Sequence, residues 1–166
     1  MRFAAIVMVL FSALPAAAQN LQFSPVATEV CIQSANDIWQ QKSCIGRSAQ
    51  QCMDATSDGG TTVGMGGCLN YELEYWDAAL NRTYKAVMSK AKALDAENAT
   101  ISDNIPKLAG PLRDMQRAWI PFRDAACDFD MAQWGGGSGG GSALLACLMR
   151  VTGEQTLDLN AMWLGE

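Results

Sequence analysis

Six cysteines are the residues of this 166-residue chain whose type and number most directly suggest chemistry. They stand at positions 31, 44, 52, 68, 127 and 147, and an even number of cysteines in an exported chain predicts disulfides. Zinc is the alternative, but the sequence contains no C-x-x-C pair and no His. We therefore predict three disulfides, no metal site and no cofactor.

Carboxylates are the side chains left for acid–base catalysis, because the absence of His removes the usual general bases. Glu72 with Asp77, and Asp124 with Asp128, have spacings that would suit such a pair. Acidic residues at these intervals usually form a solvated helix face, and no nucleophile with a base accompanies them. We predict a protein that is not an enzyme, with a carboxylate-based hydrolase as the least favoured alternative.

The first 18 residues have the pattern of a secretory signal peptide. Arg2 precedes a short apolar run, Pro15 interrupts it, and Ala16-Ala17-Ala18 supplies the small residues before a cleavage site. The run is too short to span a bilayer, and no later segment reaches membrane length. We expect a single periplasmic or secreted domain over residues 19–166, with no membrane insertion.

Apolar residues recur at intervals of three and four through the remaining chain, which predicts helices. A first helix should carry Val26, Val30 and Trp39, and a second should cover residues 44–55 before a loop over residues 54–67. A long helix over residues 69–94 and another over residues 105–129 follow, and the last starts near residue 142. No stretch alternates in the manner of a strand. The predicted fold is all-α: a disulfide-stapled bundle of about five helices.

The predicted fourth helix has two special features. Its apolar stripe consists of Ile105, Leu108, Leu112, Met115, Trp119, Phe122, Ala126 and Phe129, and Trp119 is expected in the core. Pro111 and Pro121 lie inside it, and each removes a backbone N–H, so we expect a kink or a break.

Helical geometry restricts the pairing of the cysteines. Cys44 and Cys52 on one helix would lie about 12 Å apart, whereas bridged Cα atoms lie within about 7 Å. Cys127 and Cys147 flank a glycine-rich hairpin between two antiparallel helices, and a turn near position 42 would set Cys31 opposite Cys52. The predicted disulfides are Cys31–Cys52, Cys44–Cys68 and Cys127–Cys147.

The last three predicted helices contain a recognisable pattern. Its most specific parts are D-x-x-L-N-x-x-Y from Asp77 and Q-x-A-W-x-x-x-R-x-x-x-C from Gln116, and it closes with Cys147-Leu148-Met149-Arg150. Over about residues 68–157 it resembles the lysozyme-inhibitor LprI-like N-terminal domain family of bacterial exported proteins. The resemblance implies a small cysteine-bridged helical domain that inhibits a host-type lysozyme.

Four polar residues of this pattern border the apolar stripes: Asp77, Asn81, Gln116 and Arg123. They would form either a polar binding site or an interhelical network with a buried Asp77–Arg123 pair. We favour the structural network, because these residues lie beside apolar stripes rather than in a loop.

The formal charge of −5 argues against nucleic-acid binding and favours a basic protein partner. Loops at residues 58–67 and 135–142 are the segments expected to project, which makes Asp58, Trp134, Gly137 and Ser138 the candidate partner contacts. The function predicted is inhibition of a basic lysozyme-type glycosidase by occlusion of its cleft. The alternative is an envelope structural or interaction domain without lysozyme contact.

Overall fold

The computed structural model describes residues 21–162, which fold into six helices. In chain order they are α1 (Val26–Ser34), α2 (Ile38–Lys42), α3 (Arg47–Ala55), α4 (Thr62–Asn98), α5 (Ala109–Ala132) and α6 (Gly140–Asn160). The described part of the chain contains no strand, so the prediction of an all-α fold is confirmed. The predicted signal peptide, residues 1–18, lies outside the described residues.

Three long helices, α4, α5 and α6, form the scaffold. Helix α6 packs along α4 and against α5. Helix α4 has 37 residues and is about 55 Å long, so it can contact both α5 and α6. Their buried side chains form two apolar clusters along α4. One contains Leu69, Trp76, Met149 and Leu157, and the other contains Leu80, Ala91, Leu112 and Leu159.

Of the short helices, α3 packs against α4 and α2 against α6, while α1 packs on α2 and α3. The single first helix predicted from the sequence is wrong, because the chain leaves the helical conformation at residues 35–37. Asp37 then starts α2 by accepting a hydrogen bond from the Gln40 backbone N–H at 2.8 Å, as N-cap carboxylates do. Val26, Val30 and Trp39, the apolar residues of that predicted helix, are exposed.

Helix α5 departs from its prediction in two ways. It continues through Pro121, and Pro111 lies in the first turn, where its missing N–H removes no intrahelical bond, so no break occurs. Phe122 and Phe129 are about two-thirds exposed, at 65% and 67%, and Met115 is exposed as well. The core contacts of α5 come instead from the neighbouring face, which carries Leu112 and Trp119.

Both predicted loops are shorter than the sequence suggested. Helix α4 begins at Thr62, and the Thr61 side chain caps it by accepting a hydrogen bond from Gly64 N at 3.0 Å. Helix α6 begins at Gly140. The connections are therefore residues 56–61 and residues 133–139, which we call the 56–61 loop and the 133–139 loop.

Three disulfides staple the bundle: Cys31–Cys44, Cys52–Cys68 and Cys127–Cys147, with Cα separations of 5.6, 5.7 and 5.4 Å. The third is the predicted pair, but Cys31–Cys52 and Cys44–Cys68 are wrong. The error comes from an additional turn at residues 35–37, which precedes the turn at residues 43–46 between α2 and α3. The earlier turn sets Cys44, after α2, opposite Cys31, and the short 56–61 loop brings Cys68 to Cys52.

The N-terminus of α5 is capped from another helix. The Asp95 carboxylate on α4 accepts hydrogen bonds from Leu108 N at 2.6 Å and Ala109 N at 3.0 Å. These two bonds lower the pKa of Asp95 below its ordinary value of 3.8. The ionised form of Asp95 thus holds the turn between α4 and α5.

Asp95→Asn should lower the melting temperature at neutral pH, because it removes the negative charge at the N-terminus of α5. Since the folded-state pKa is lowered, the stabilisation is complete well above pH 3.8 and is lost as the pH falls through the folded-state pKa. Thermal unfolding of both proteins between about pH 7 and about pH 2 measures this. Asp103→Asn controls for losing a carboxylate from the same end. A melting difference that stays constant over the whole range would contradict the prediction.

Candidate functional site

An apolar cavity of about 530 Å³ opens at the end of the bundle from which α4 and α6 start. Its walls come from α3, the first turns of α4 and α6, and the 133–139 loop. The hydroxyl-bearing residues Thr62, Ser138 and Ser142 contribute to the lining. The rest is apolar: Met53, Met65, Leu69, Trp134, Ala143 and Ala146, with Gly139 beside the indole.

Trp134 is the most prominent side chain of this cavity, with 55% of its surface exposed. Its indole lies directly against Gly139, where an added Cβ would overlap the ring, so only glycine allows this packing. Gly135 and Gly136 have φ angles of +56° and +83°, a left-handed conformation that favours glycine. Gly137 N then donates to Trp134 O at 2.9 Å and closes the turn. The glycine run therefore folds the loop back over Trp134.

The four residues predicted as partner contacts lie at this one end of the molecule. Trp134 and Ser138 line the cavity. Gly137 is exposed in the 133–139 loop, and Asp58 is exposed in the 56–61 loop. We call this end, with its cavity and two loops, the loop end.

Charge is strongly segregated between the two ends of the bundle. Residues 48–81 and 124–149, which include the 56–61 and 133–139 loops and most of the cavity wall, contain eight acidic residues and no Lys or Arg, although Glu72 is buried and Asp77 and Asp124 contact Arg123. Residues 82–123, at the other end, contain eight basic and four acidic residues. The net charge of −5 therefore conceals an acidic loop end and a basic opposite end.

The four polar residues assigned to an interhelical network do not form one continuous network. Arg123 approaches Asp77 at 3.6 Å and Asp124 at 2.8 Å, but about half of the Asp77 side chain is exposed, so the pair is not buried. Asn81 donates to Asp77 O, within its own helix, at 2.9 Å. Gln116 accepts from Gln155 on α6 at 3.0 Å. The contacts of Arg123 and Gln116 nevertheless connect α5 to its neighbours.

The polar residue that sequence reasoning missed is Glu72, whose side chain is fully buried. Its carboxylate accepts hydrogen bonds from Thr28 Oγ1 at 2.8 Å, Gly46 N at 2.8 Å, Ala49 N at 2.6 Å and Trp76 Nε1 at 3.2 Å. Gly46 is the N-cap residue of α3 and Ala49 lies in its first turn, so Glu72 caps that helix from α4. The signal was its spacing, three residues after Leu69 and four before Trp76, on the buried stripe.

Thr28 and Ser48 extend this contact between α1 and α3. Thr28 N donates to Ser48 Oγ, and Ser48 N donates to Thr28 Oγ1, both at 3.0 Å. Both side chains are fully buried, and neither leaves a polar atom unpaired. Glu72, Thr28 and Ser48 together join α1, α3 and α4.

The carboxylate pairs considered for catalysis are not assembled. Glu72 is buried, and its hydrogen bonds come from the chain itself, whereas Asp77 lies at the surface. Asp124 and Asp128 are both exposed, and Asp124 is paired with Arg123. Within residues 21–162, no group of three His, Cys, Asp or Glu side chains could hold a metal ion. None of the helices described there is long and apolar enough to cross a membrane.

Comparison with known proteins agrees with the family pattern read from the sequence. The family described as "Lysozyme inhibitor LprI" matches residues 52–159. This chain belongs to that family. The LprI match contains α4, α5, α6, the loop end and two of the three disulfides, and it begins at Cys52, after α1 and α2.

Two relatives extend the comparison. An uncharacterized 17.7 kDa protein in the puhA 5' region of Rhodobacter capsulatus is 24% identical over 135 residues, covering 81% of this chain and 83% of that protein. An uncharacterized protein of Rhizobium meliloti (strain 1021) is 30% identical over 95 residues, covering 57% of this chain and 68% of that protein. No solved structure gives a significant match. The LprI family, together with the disulfides, suggests a location outside the cytoplasm.

Glu72→Gln should lower the free energy of unfolding by about 3 kcal/mol. Gly46 N and Ala49 N donate to different oxygens of the carboxylate, and the amide of Gln has only one oxygen to accept a hydrogen bond. For a domain of this size, such a loss of free energy corresponds to a fall of about 6–12 °C in melting temperature. Glu74→Gln, at an exposed position on the same helix, is the matched control and should change it little. Equal melting temperatures for the two variants would show that the buried carboxylate does not hold the short helices.

Asp77→Ala should have a small effect, at most about 1 kcal/mol, because its ion pair with Arg123 is half exposed. Chemical denaturation of the variant measures the difference. A loss as large as that expected for Glu72→Gln would restore the buried pair that the sequence had suggested.

Proposed function

We propose that this LprI-family protein is exported by its signal peptide, residues 1–18, and that residues 19–166 act as one periplasmic or secreted inhibitory domain. Its target is a basic lysozyme-type glycosidase, bound by the loop end so that the substrate cleft is covered. The observation that carries the proposal is the coincidence of the half-exposed Trp134, the apolar cavity and the acidic end of the molecule.

Each part of the loop end has a defined contribution. Exposed carboxylates near the loop end, such as Asp54 and Asp58, attract a basic protein and orient the encounter, which raises the association rate more than the affinity. Trp134 supplies the large, rigid apolar contact that is typical of binding hot spots. Gly135, Gly136 and Gly137 carry no side chains, so this narrow part of the 133–139 loop suits insertion into a cleft. Asp58 flanks the contact from the 56–61 loop.

The alternative is an envelope interaction domain that makes no contact with lysozyme. This alternative is favoured because several residues of the family pattern lie in the core and not on a binding surface. Leu80 and the bridged Cys127 are buried, and Trp119 packs on a core cluster. Such residues maintain the fold whatever the partner. The two functions differ in whether purified protein protects cell walls from lysozyme.

Trp134→Ala should weaken inhibition about 30-fold, which corresponds to about 2 kcal/mol of lost binding free energy. The measurement is the turbidity of a cell-wall suspension treated with a basic lysozyme and increasing amounts of residues 19–166. Trp39→Ala is the matched control, because Trp39 is even more exposed, at 76%, but lies on α2. Absence of inhibition by the unaltered protein would select the envelope domain, and equal effects of the two variants would remove the loop end from the contact.

Raising the salt concentration from low to physiological values should weaken inhibition, because salt screens exposed charges beyond about 10 Å at 0.1 M. Asp58→Asn should reduce the association rate and part of its salt dependence. Asp103→Asn, another exposed aspartate in the loop at the opposite end, serves as the control. Inhibition that does not change with salt would contradict steering by the acidic end.

A further inference from the structure

The outer face of α5 carries an apolar stripe that nothing in the described chain covers. We call it the α5 stripe, and all six of its residues are exposed: Met115, Ala118, Phe122, Ala125, Phe129 and Ala132. Phe122 and Phe129 expose 65% and 67% of their surface. Soluble proteins rarely leave large contiguous apolar patches in water, so such a patch marks a contact surface.

The spacing of the α5 stripe is that of a helix-pairing seam. Its members alternate steps of three and four residues through Met115, Ala118, Phe122, Ala125, Phe129 and Ala132, which is the heptad pattern of coiled coils. The opposite side of α5 already packs on the bundle through Leu112 and the bridged Cys127. The helix therefore has one face for the core and a second face suited to another helix.

We propose that the α5 stripe is the interface of a homodimer in which two copies of α5 pack antiparallel. In that orientation Met115 faces Ala132 of the second copy, Ala118 faces Phe129, and Phe122 faces Ala125. Each large side chain meets an alanine, and large-to-small alternation is what fills a helix interface without voids or overlaps. Parallel pairing in register would set Phe122 against Phe122 and leave alanine against alanine.

The charges beside the stripe agree with the antiparallel register. Asp114 is held by Arg113 at 3.1 Å, and Asp124 is held by Arg123 at 2.8 Å, within one chain. Arg117 and Asp128 lie on the same flank of α5, and the described part of the chain gives neither of them an ion pair. When Phe122 faces Ala125, Arg117 of one copy lies within about two residues, or about 3 Å along the axis, of Asp128 of the other. The two-fold symmetry makes this pair twice.

The antiparallel dimer leaves both loop ends accessible. Helix α5 runs toward the loop end, since the 133–139 loop follows its last residue. Two antiparallel copies therefore carry their loop ends at opposite ends of the assembly. Dimerisation through the α5 stripe is thus independent of the proposed lysozyme contact, and its test requires no lysozyme.

Sedimentation equilibrium of residues 19–166 over a concentration series tests the dimer. The unaltered protein should be a dimer, and Phe122→Asp should raise the dissociation constant at least about 100-fold, because it removes a central apolar contact and buries a charge. Ile101→Asp, at a residue 71% exposed outside the stripe, is the matched control and should remain dimeric. Phe129→Asp replaces Phe122→Asp if that variant does not fold by circular dichroism.

Charge reversal tests the register. Arg117→Asp alone and Asp128→Arg alone each place like charges together and should weaken the dimer about tenfold. The double variant restores opposite charges and should return the dissociation constant to nearly its original value. A protein that is monomeric at every concentration, or a dimer unaffected by the stripe variants, overturns the interface. Failure of the double variant to recover overturns the antiparallel arrangement.

Discussion

The buried carboxylate of Glu72 is the interaction on which the arrangement of the N-terminal helices depends. Burying a carboxylate costs much free energy unless donors satisfy it, and here the donors come from α1, from the first turn of α3 and from α4 itself. Separating these helices would leave a charge unsatisfied inside the protein. Cys31–Cys44 and Cys52–Cys68 tether the same part of the chain. The position of α3, and with it the Met53 wall of the cavity, follows from this contact.

The sequence was sufficient to predict the long helices, but it was not sufficient to predict how the short helices contact one another. The apolar stripe of α4 extends over many turns, so its period is unambiguous. The turn at residues 35–37 depends on one capping residue, Asp37. Because the sequence analysis did not recognise this turn, it paired Cys31 with Cys52 instead of Cys44. In α5 the apolar arc is wider than one packing face. Periodicity located that arc, but only the contacts with α4 and α6 decide that Leu112 faces inward and Phe122 outward.

Segregation of charge along the bundle changes what the net charge of −5 means. A uniformly acidic surface would attract a basic protein without orienting it. Here the basic residues concentrate between positions 82 and 123, so the same long helix α4 separates a basic end from an acidic one. This charge distribution favours encounters in which the loop end, where Trp134 lies, faces a basic partner. The sequence placed Trp134 and Ser138 among the candidate contacts, but the cavity that these two residues line becomes visible only in the fold.

The LprI match covers only part of the folded domain, because α1, α2 and the start of α3 precede residue 52. The match begins at Cys52 and includes Glu72 and Trp76, but the other three donors to that carboxylate, on Thr28, Gly46 and Ala49, precede it. A chain with only the matched part would leave Glu72 with the Trp76 donor alone, so its carboxylate would have to turn to water or stay buried largely unsatisfied. The helices before the match are therefore structural partners of the family region in this protein. Because Met53 of α3 forms part of its wall, these helices also shape the cavity at which we propose that lysozyme is bound.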